Sequence, residues 1–315
     1  MQVKGGRLEL LVPHLLRGQL LRPGFVRLSL RLGLTRQMPA WAKLQFTNNG
    51  ITAADLEDVL GRITSLEGWA DEWEKLGHRH EHEAAGADAR GETRVAGQHR
   101  LWASAAYNFA QYVVFMDPAR KLELHEQCVR AYAAAAPHVE FPARPFEVLF
   151  RKRLVRGWLR QPHGDGPHPV VVIFNGTNGV KEELHQWADA YLERGIATIT
   201  LDGPGLGETF HRLGTVAEPR PLGVAIMNRI ESEPSLDADA VAYMGLSLGG
   251  YAVIKMAAHD PRVRCVAAVS PPFSVDVYWN VTLSSMRREF ASLYRMSVEE
   301  MDAFIPRITL EPALP

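Results

Sequence analysis

The pattern with the clearest chemistry is a serine set between glycines, in the run Gly245-Leu246-Ser247-Leu248-Gly249. A G-x-S-x-G match is informative only when a strand leads into it and a helix leads out, as the flanking residues predict here. The backbone at Ser247 then turns sharply and presents its hydroxyl as a nucleophile. The N–H of Leu248, at the helix start, can stabilise an oxyanion. We predict that Ser247 attacks the substrate; a glycine-rich turn without chemistry is the competing interpretation.

A second loop of small residues follows the apolar run 170–174, in the order Asn175-Gly176-Thr177-Asn178-Gly179. Where a nucleophile elbow is present, a loop after an earlier buried strand supplies the second oxyanion N–H. Thr177 is our first choice for this donor, and Asn178 is the alternative. A loop selected only for its turn geometry remains possible. A phosphate-binding P-loop is excluded, because the G-x-x-x-x-G-K-[ST] spacing is absent.

The next glycine-rich loop, from Asp202 to Glu208, is predicted to have a structural role. Pro204 and the lack of a helix start argue against a dinucleotide site. We expect Asp202 and Glu208 to hold the loop by accepting hydrogen bonds from its amides. Neither carboxylate is expected to take part directly in catalysis.

The histidine base that a serine nucleophile requires is not evident. His259 is the only histidine after Ser247, and a helix of about ten residues would place it ~15 Å away. One explanation is that the chain is a C-terminally truncated piece of a longer hydrolase, which would then hydrolyse poorly by itself. The other is that the base comes from elsewhere, for which His185 is a candidate. Asp276 is a candidate for an unusual triad acid or a pocket residue.

Alternating strand and helix patterns predict the scaffold that presents these loops. Apolar runs predict strands over 146–159 (two short strands), 170–174, 196–201, 241–244 and 266–269. Helical spacing predicts helices over 181–194, 221–233 and 249–259. This order gives an α/β fold with a doubly wound, mostly parallel sheet. We can place no strand after 269, so the last two strands of such a sheet are not predicted.

Before residue 144 the pattern is helical, with Thr52 and Asp117 as predicted N-caps. We therefore divide the chain into a basic extension (1–37), a helical lid (38–143) and an α/β core (144–315) that is C-terminally incomplete. The extension is expected to be poorly ordered or part of the helical region; a basic membrane-surface segment is the alternative.

Four aromatic residues of the helical region could line an apolar pocket: Trp102, Tyr107, Phe109 and Tyr112. Packing in a helical core is the simpler role for most of them. Tyr107 and Tyr112, together with Asp276, are our candidates for contact with substrate. The three histidines of the run Gly-His-Arg-His-Glu-His, at positions 78, 80 and 82, are expected on a solvated surface, since a spacing of two fits neither a metal site on one helix face nor a base.

The composition is that of a globular protein, with 315 residues, a formal net charge of −1 and 46% hydrophobic residues. Nothing in the charge points to nucleic acid, and no run is long enough to span a membrane. Cys128 and Cys265 have no metal or disulfide spacing, and both are expected to be buried. A cytoplasmic enzyme without a metal or an organic cofactor is the default expectation.

Together these residues resemble the α/β-hydrolase superfamily, and within it the members with an N-terminal helical lid. Those members include the bacterial 2,6-dihydroxypseudooxynicotine hydrolases and the fungal polyketide-shortening hydrolases. The resemblance covers about residues 50 to 275 and rests on these runs: Gly50-Ile51-Thr52, Trp69 to Trp73, Tyr107-Asn108-Phe109-Ala110, Asp117-Pro118, Lys181-Glu182-Glu183, Asp202-Gly203-Pro204-Gly205, Gly207-Glu208 and Ser247-Leu248-Gly249-Gly250-Tyr251. It implies a Ser/Asp/His triad, a substrate held between lid and core, and often a homodimer. Known members cleave esters, or carbon–carbon bonds next to a carbonyl.

The sequence thus predicts a serine hydrolase that forms an acyl-enzyme at Ser247 on a small carbonyl substrate. That substrate is either an ester or a ketone cleaved at a carbon–carbon bond. The alternative from another class is a noncatalytic binding or regulatory protein that keeps the elbow without a working triad.

Overall fold

The computed structural model describes residues 38, 40–65, 67–114, 117–280, 282 and 284–311. The predicted basic extension, 1–37, lies outside the described residues. Among the described residues, helices come first, and a mixed sheet with helices on both faces follows. No helix in the described part is both long enough and apolar enough to cross a bilayer.

Five α-helices of the described residues precede the sheet: α1 (Ala40–Thr47), α2 (Ala53–Arg62), α3 (Glu67–Ala89), α4 (Thr93–Gln111) and α5 (Pro118–Ala135). The predicted N-caps of α2 and α5 are confirmed, because the Thr52 side chain accepts a hydrogen bond from Asp55 N and that of Asp117 accepts one from Arg120 N. An aromatic cluster of α1, α3 and α4 fills the core between the helices: Phe46, Trp69, Trp73 and Phe109.

The described residues form a sheet of six strands: β1 (Ala143–Phe150), β2 (Arg153–Arg160), β3 (His168–Phe174), β4 (Ala197–Leu201), β5 (Leu236–Leu246) and β6 (Val263–Val269). Their spatial order is β1-β2-β4-β3-β5-β6. The pairs β1–β2 and β2–β4 are antiparallel, whereas β4, β3, β5 and β6 run parallel. The predicted α/β, mostly parallel architecture is therefore confirmed.

Helices cover both faces of the sheet, as a doubly wound fold requires. A 3₁₀ turn (Lys181–Leu184) and α6 (His185–Leu192) take the place of the single predicted helix over 181–194. Leu184 of this turn packs against Val171 and Ile173 of β3. On the other face α7 (Arg220–Glu231) and α8 (Leu248–Ala257) pack against the alternate β3 positions, because successive side chains of a strand point to opposite faces.

β6 lies at one edge of the sheet and is largely exposed. Val266 and Val269 are exposed by 38% and 42%, and Cys265 is also exposed. The expectation that both cysteines are buried is thus wrong for Cys265, which lies on this edge strand, and right for Cys128. An edge position follows from the neighbouring strands rather than from the strand's own apolar pattern.

In the described part of the chain, three short α-helices follow the sheet: α9 (Asp276–Trp279), α10 (Ser284–Tyr294) and α11 (Val298–Phe304). Their apolar residues, with Leu248 and Tyr251 of α8, form a separate core. Trp279, Tyr294 and Met301 are buried in it. These helices place side chains of the C-terminal region beside the elbow that begins α8.

Candidate functional site

Ser247 lies at the junction between strand β5 and helix α8, and it is exposed. Its backbone has φ 50° and ψ −117°, a conformation that non-glycine residues rarely adopt. Hydrogen bonds hold the turn on both sides: Ser247 N donates to Val269 O at 2.8 Å, and Tyr251 N donates to Ser247 O at 3.1 Å. An accessible hydroxyl on a fixed, strained turn is the geometry of a nucleophile elbow.

The glycines on either side of Ser247 allow strand and helix to cross closely. A Cβ added at Gly245 would lie 2.3 Å from Gly249 O, and one added at Gly249 would lie 2.4 Å from Asn175 O. Both positions therefore exclude a side chain. The second contact also packs the elbow directly against the loop that follows β3.

The loop after β3 approaches Ser247 through Gly176. A Cβ added at Gly176 would lie 3.1 Å from Ser247 Cβ and 3.7 Å from Ser247 Oγ. The loop is braced from within, because Gly176 N donates to Asn175 Oδ1 at 2.8 Å. Gln111 of α4 donates to Asn178 O at 3.2 Å. The predicted oxyanion residues Thr177 and Asn178 thus lie in a braced loop beside the elbow.

A cavity of about 750 Å³ opens over Ser247. This volume falls in the range of small-molecule sites. One wall comes from the N-terminal helices, one from the loops after β3 and β6, and one from the C-terminal helices. Its lining includes Gln45, Asn48, Tyr112, Thr177, Asn178, Trp187, Leu246, Leu248, Ser270, Tyr278, Trp279, Met286, Glu289 and Phe290. Apolar and aromatic surface dominates, with a few polar groups that could orient a ligand.

Of the three candidate substrate contacts, Tyr112 lines this cavity, and its hydroxyl donates to both carboxylate oxygens of Glu183 at 2.6 and 2.7 Å. Tyr107 lies elsewhere: its ring is fully buried near Cys128, and its hydroxyl donates to Glu81 at 2.7 Å. Asp276 is exposed, accepts a hydrogen bond from Ser274 and does not line the cavity. Trp102 and Phe109 also lie outside the cavity lining.

The histidines considered as bases do not line the cavity with Ser247. His185 is hydrogen-bonded to the Tyr132 hydroxyl at 2.9 Å, and burial lowers its pKa well below the usual value. His259 is exposed after the end of α8. His80 is buried rather than solvated, with Nε2 3.2 Å from Asp55, which corrects the expectation for that residue; His78 and His82 are exposed as expected.

A buried charge cluster lies behind the loops. Lys181 Nζ forms ion pairs with Glu182 at 2.7 Å, Asp202 at 3.0 Å and Glu208 at 2.6 Å. Burial alone would lower the pKa of Lys181, but the three carboxylates raise it well above the usual value. Asp202 also accepts hydrogen bonds from the amides of Lys181 and Glu208, which confirms its predicted loop-holding role.

The same cluster contains a group with metal-site spacing. His125, Glu182 and Asp202 offer ligand atoms that all lie within 4.8 Å of one another. The Lys181 ammonium, however, already pairs with two of these three residues. Burial lowers the pKa of His125 to about 4, so this histidine is neutral near pH 7. The positive charge next to Glu182 and Asp202 is thus the ammonium group of Lys181.

Glu289 is a carboxyl group in the cavity wall that belongs to no recognisable sequence motif. It lies on α10, and the Asn178 side chain lies against it. The Oε1 atom of Glu289 is buried, and no described residue donates a hydrogen bond to it. Burial raises the pKa of Glu289 to about 7 although the charge of Lys121 opposes this shift. Glu289 is therefore partly protonated near neutral pH.

We expect Glu289→Gln to stabilise the protein above pH 7 but not at pH 5. The raised folded-state pKa means that Glu289 favours folding below its unfolded pKa and loses that contribution as the pH rises through 7. The gain at pH 8 should be roughly 2–3 kcal/mol in the free energy of unfolding. Urea unfolding at both pH values measures it, with the exposed Glu299→Gln as control. Equal gains at pH 5 and pH 8 would argue against a perturbed carboxyl.

A protein-family model matches most of the chain. The model of the FrsA-like esterases matches residues 40–294. Among curated proteins, the 2,6-dihydropseudooxynicotine hydrolase of Paenarthrobacter nicotinovorans is 29% identical over 78% of this chain and 65% of its own length. The α/β hydrolase ucsC of an Acremonium species is 30% identical over 76% of this chain and 54% of its own length.

Solved structures agree with these sequence matches. The crystal structure of 2,6-dihydroxy-pseudo-oxynicotine hydrolase superposes with a TM-score of 0.77 at 27% identity, covering 87% of this chain and 77% of that one. AbyA5, with a TM-score of 0.68 at 19% identity and coverage of 87% and 76%, shares the fold. The chain spans between 54% and 65% of the length of the two curated relatives.

Proposed function

We propose, from the premise that the chain belongs to the FrsA-like esterase family, that it is a serine hydrolase with Ser247 as nucleophile. The observation that carries the proposal is the position of this serine. Ser247 is exposed at the strand–helix junction with φ 50°, and it opens into the cavity beside the loop after β3. A strained, accessible hydroxyl of this kind is typical of acyl-transfer sites.

In the proposed reaction, Ser247 Oγ attacks the substrate carbonyl carbon while a histidine base takes the hydroxyl proton. The N–H groups of Leu248 and Thr177, with Asn178 as the alternative to Thr177, hold the oxyanion. The leaving group departs with the proton from the histidine, and an acyl-serine remains. Water then attacks the acyl carbon and gives its proton to the same base, which passes it to Ser247 Oγ as the acid is released.

The proposed substrate is a small or medium carbonyl compound that fits a cavity of about 750 Å³ with aromatic walls. The matched family is described as FrsA-like esterases, and the two curated relatives are named as a 2,6-dihydropseudooxynicotine hydrolase and as an α/β hydrolase. An ester and a ketone cleaved at a carbon–carbon bond are both consistent with these names. We also propose that the N-terminal helices act as a lid, since Gln45, Asn48 and Tyr112 line the cavity, and that the enzyme is a cytoplasmic homodimer.

The test is covalent labelling with a fluorophosphonate probe of the protein produced from its complete gene. Digestion and mass spectrometry should locate the phosphonate on the peptide that contains Ser247. Pretreatment with a general serine-hydrolase inhibitor should prevent the labelling. A label on another residue, or none at all, would refute the assignment of Ser247.

A noncatalytic binding protein is the second candidate. It is favoured by one observation: among the described residues, no histidine lines the cavity that contains Ser247. Such a protein would bind carbonyl compounds without reacting with the probe. Ligand binding in the absence of any labelling would therefore support this candidate over the hydrolase.

A further inference from the structure

Glu183 is a buried carboxylate held by neutral donors from three parts of the chain. It lies in the 3₁₀ turn before α6 and is exposed by only 8%. Tyr112 OH donates to it at 2.6 Å, Asn49 Nδ2 at 2.8 Å and Asn175 Nδ2 at 2.9 Å. A buried carboxylate is stable only when such donors saturate it.

The burial of Glu183 is costly, and the bonds offset part of that cost. Burial raises the pKa of Glu183, and hydrogen bonds from Tyr112 and Asn175 offset only part of that shift. The neighbouring Glu182 is different, because it pairs with the Lys181 ammonium. Glu183 instead faces the cavity and the N-terminal helical region.

Asn175 connects Glu183 to the loop beside the nucleophile. Its Oδ1 accepts from Gly176 N at 2.8 Å, and its Nδ2 also donates to Val180 O at 3.3 Å. The side chain therefore spans the loop from Gly176 to Val180. A Cβ added at Gly179 would lie 2.0 Å from Asn175 Nδ2, which shows how tightly the loop closes around this amide.

We propose that Glu183 is a positioning residue that ties the N-terminal helices to the oxyanion loop. Its bond to Asn175 fixes the side chain that shapes residues 176–180, and its bonds to Asn49 and Tyr112 anchor that amide to the helical region. The N–H groups at Thr177 and Asn178 are then correctly aimed only while the helices are in place. This inference rests on the proposed function, because an oxyanion loop matters only to a hydrolase.

The test is steady-state kinetics of Glu183→Gln with 4-nitrophenyl butyrate, using the protein from its complete gene. We expect kcat to fall roughly 10- to 100-fold with KM changed less than about threefold, because oxyanion donors act mainly on the transition state. Tyr112→Phe, which removes one donor and keeps the ring, should lower kcat less. Glu193→Gln is the matched control, since Glu193 is exposed after α6.

A double-mutant cycle separates positioning from general stability. If Glu183 acts through Asn175, the kcat losses of Glu183→Gln and Asn175→Ala should not add in the double variant. Each variant is assayed at least about 15 °C below its own measured Tm, so partial unfolding does not contribute. The proposal is overturned if Glu183→Gln lowers Tm but leaves kcat within twofold, or if the two losses multiply fully. A wild-type protein without labelling at Ser247 would overturn the proposed function, and this inference with it.

Discussion

Replacing Ser247 with alanine is expected to lower kcat by roughly 10⁴-fold or more and to abolish fluorophosphonate labelling. The loss should be this large because the acyl-enzyme cannot form without the hydroxyl. The fold should persist, since the backbone bonds to Val269 and Tyr251 do not involve the side chain. Initial rates with 4-nitrophenyl butyrate and the thermal melting temperature of the variant measure both expectations.

A second serine in the cavity, Ser270, provides an internal comparison for Ser247. Ser270 follows β6, lines the same cavity and also has φ 50°. Two features distinguish Ser247 from it. Ser247 begins the ten-residue helix α8 and lies against Gly176, whereas Ser270 precedes Pro271 and Pro272. Proline has no N–H, so the residue after Ser270 cannot donate to an oxyanion.

Ser270→Ala should therefore keep most of the activity and all of the labelling. Ser232→Ala, at the exposed end of α7, is a further control that should match the wild type. If Ser270→Ala removed the label and Ser247→Ala did not, the nucleophile would be at the end of β6. The strained backbone of Ser270 would then have to be explained by catalysis.

Much of the fold could be predicted because its signals are local. The apolar run of β3 and the glycines around Ser247 each encode their own strand or turn. The exposure of β6 could not be predicted in the same way. Val266 and Val269 have the composition of a buried strand, and their exposure depends on which strands pair with β6.

The site was less predictable because it gathers residues from distant parts of the chain. Asn49 and Tyr112 bond to Glu183 across 134 and 71 positions, and no local pattern encodes such contacts. Helix geometry also determines which of the two candidate tyrosines faces the cavity. Tyr107 and Tyr112 are five residues apart, about 140° around a helix, so only one of the two could face the cavity. Their composition alone did not show which one.

Replacement of Lys181 is the second change for which we expect a large effect, in this case on stability rather than on catalysis. Its side chain is 1% exposed and forms ion pairs with Glu182, Asp202 and Glu208. Lys181→Met fills much of the same space but leaves buried carboxylates without their shared cation. Removing one partner of a buried ion pair costs far more than the pair itself contributes, because the remaining charge stays desolvated.

We expect Lys181→Met to lower the free energy of unfolding by about 3–5 kcal/mol at pH 8, measured by urea unfolding. The loss should shrink toward pH 5, because protonation neutralises the unpaired carboxyl groups. Lys75→Met is the matched control: Lys75 is 66% exposed in its pair with Glu72, and such surface pairs contribute less than about 1 kcal/mol. A loss at Lys181 no larger than that at Lys75 would show that water or rearrangement compensates the carboxylates. A loss of the expected size would mean that Lys181 offsets the cost of burying the carboxylates of Glu182, Asp202 and Glu208.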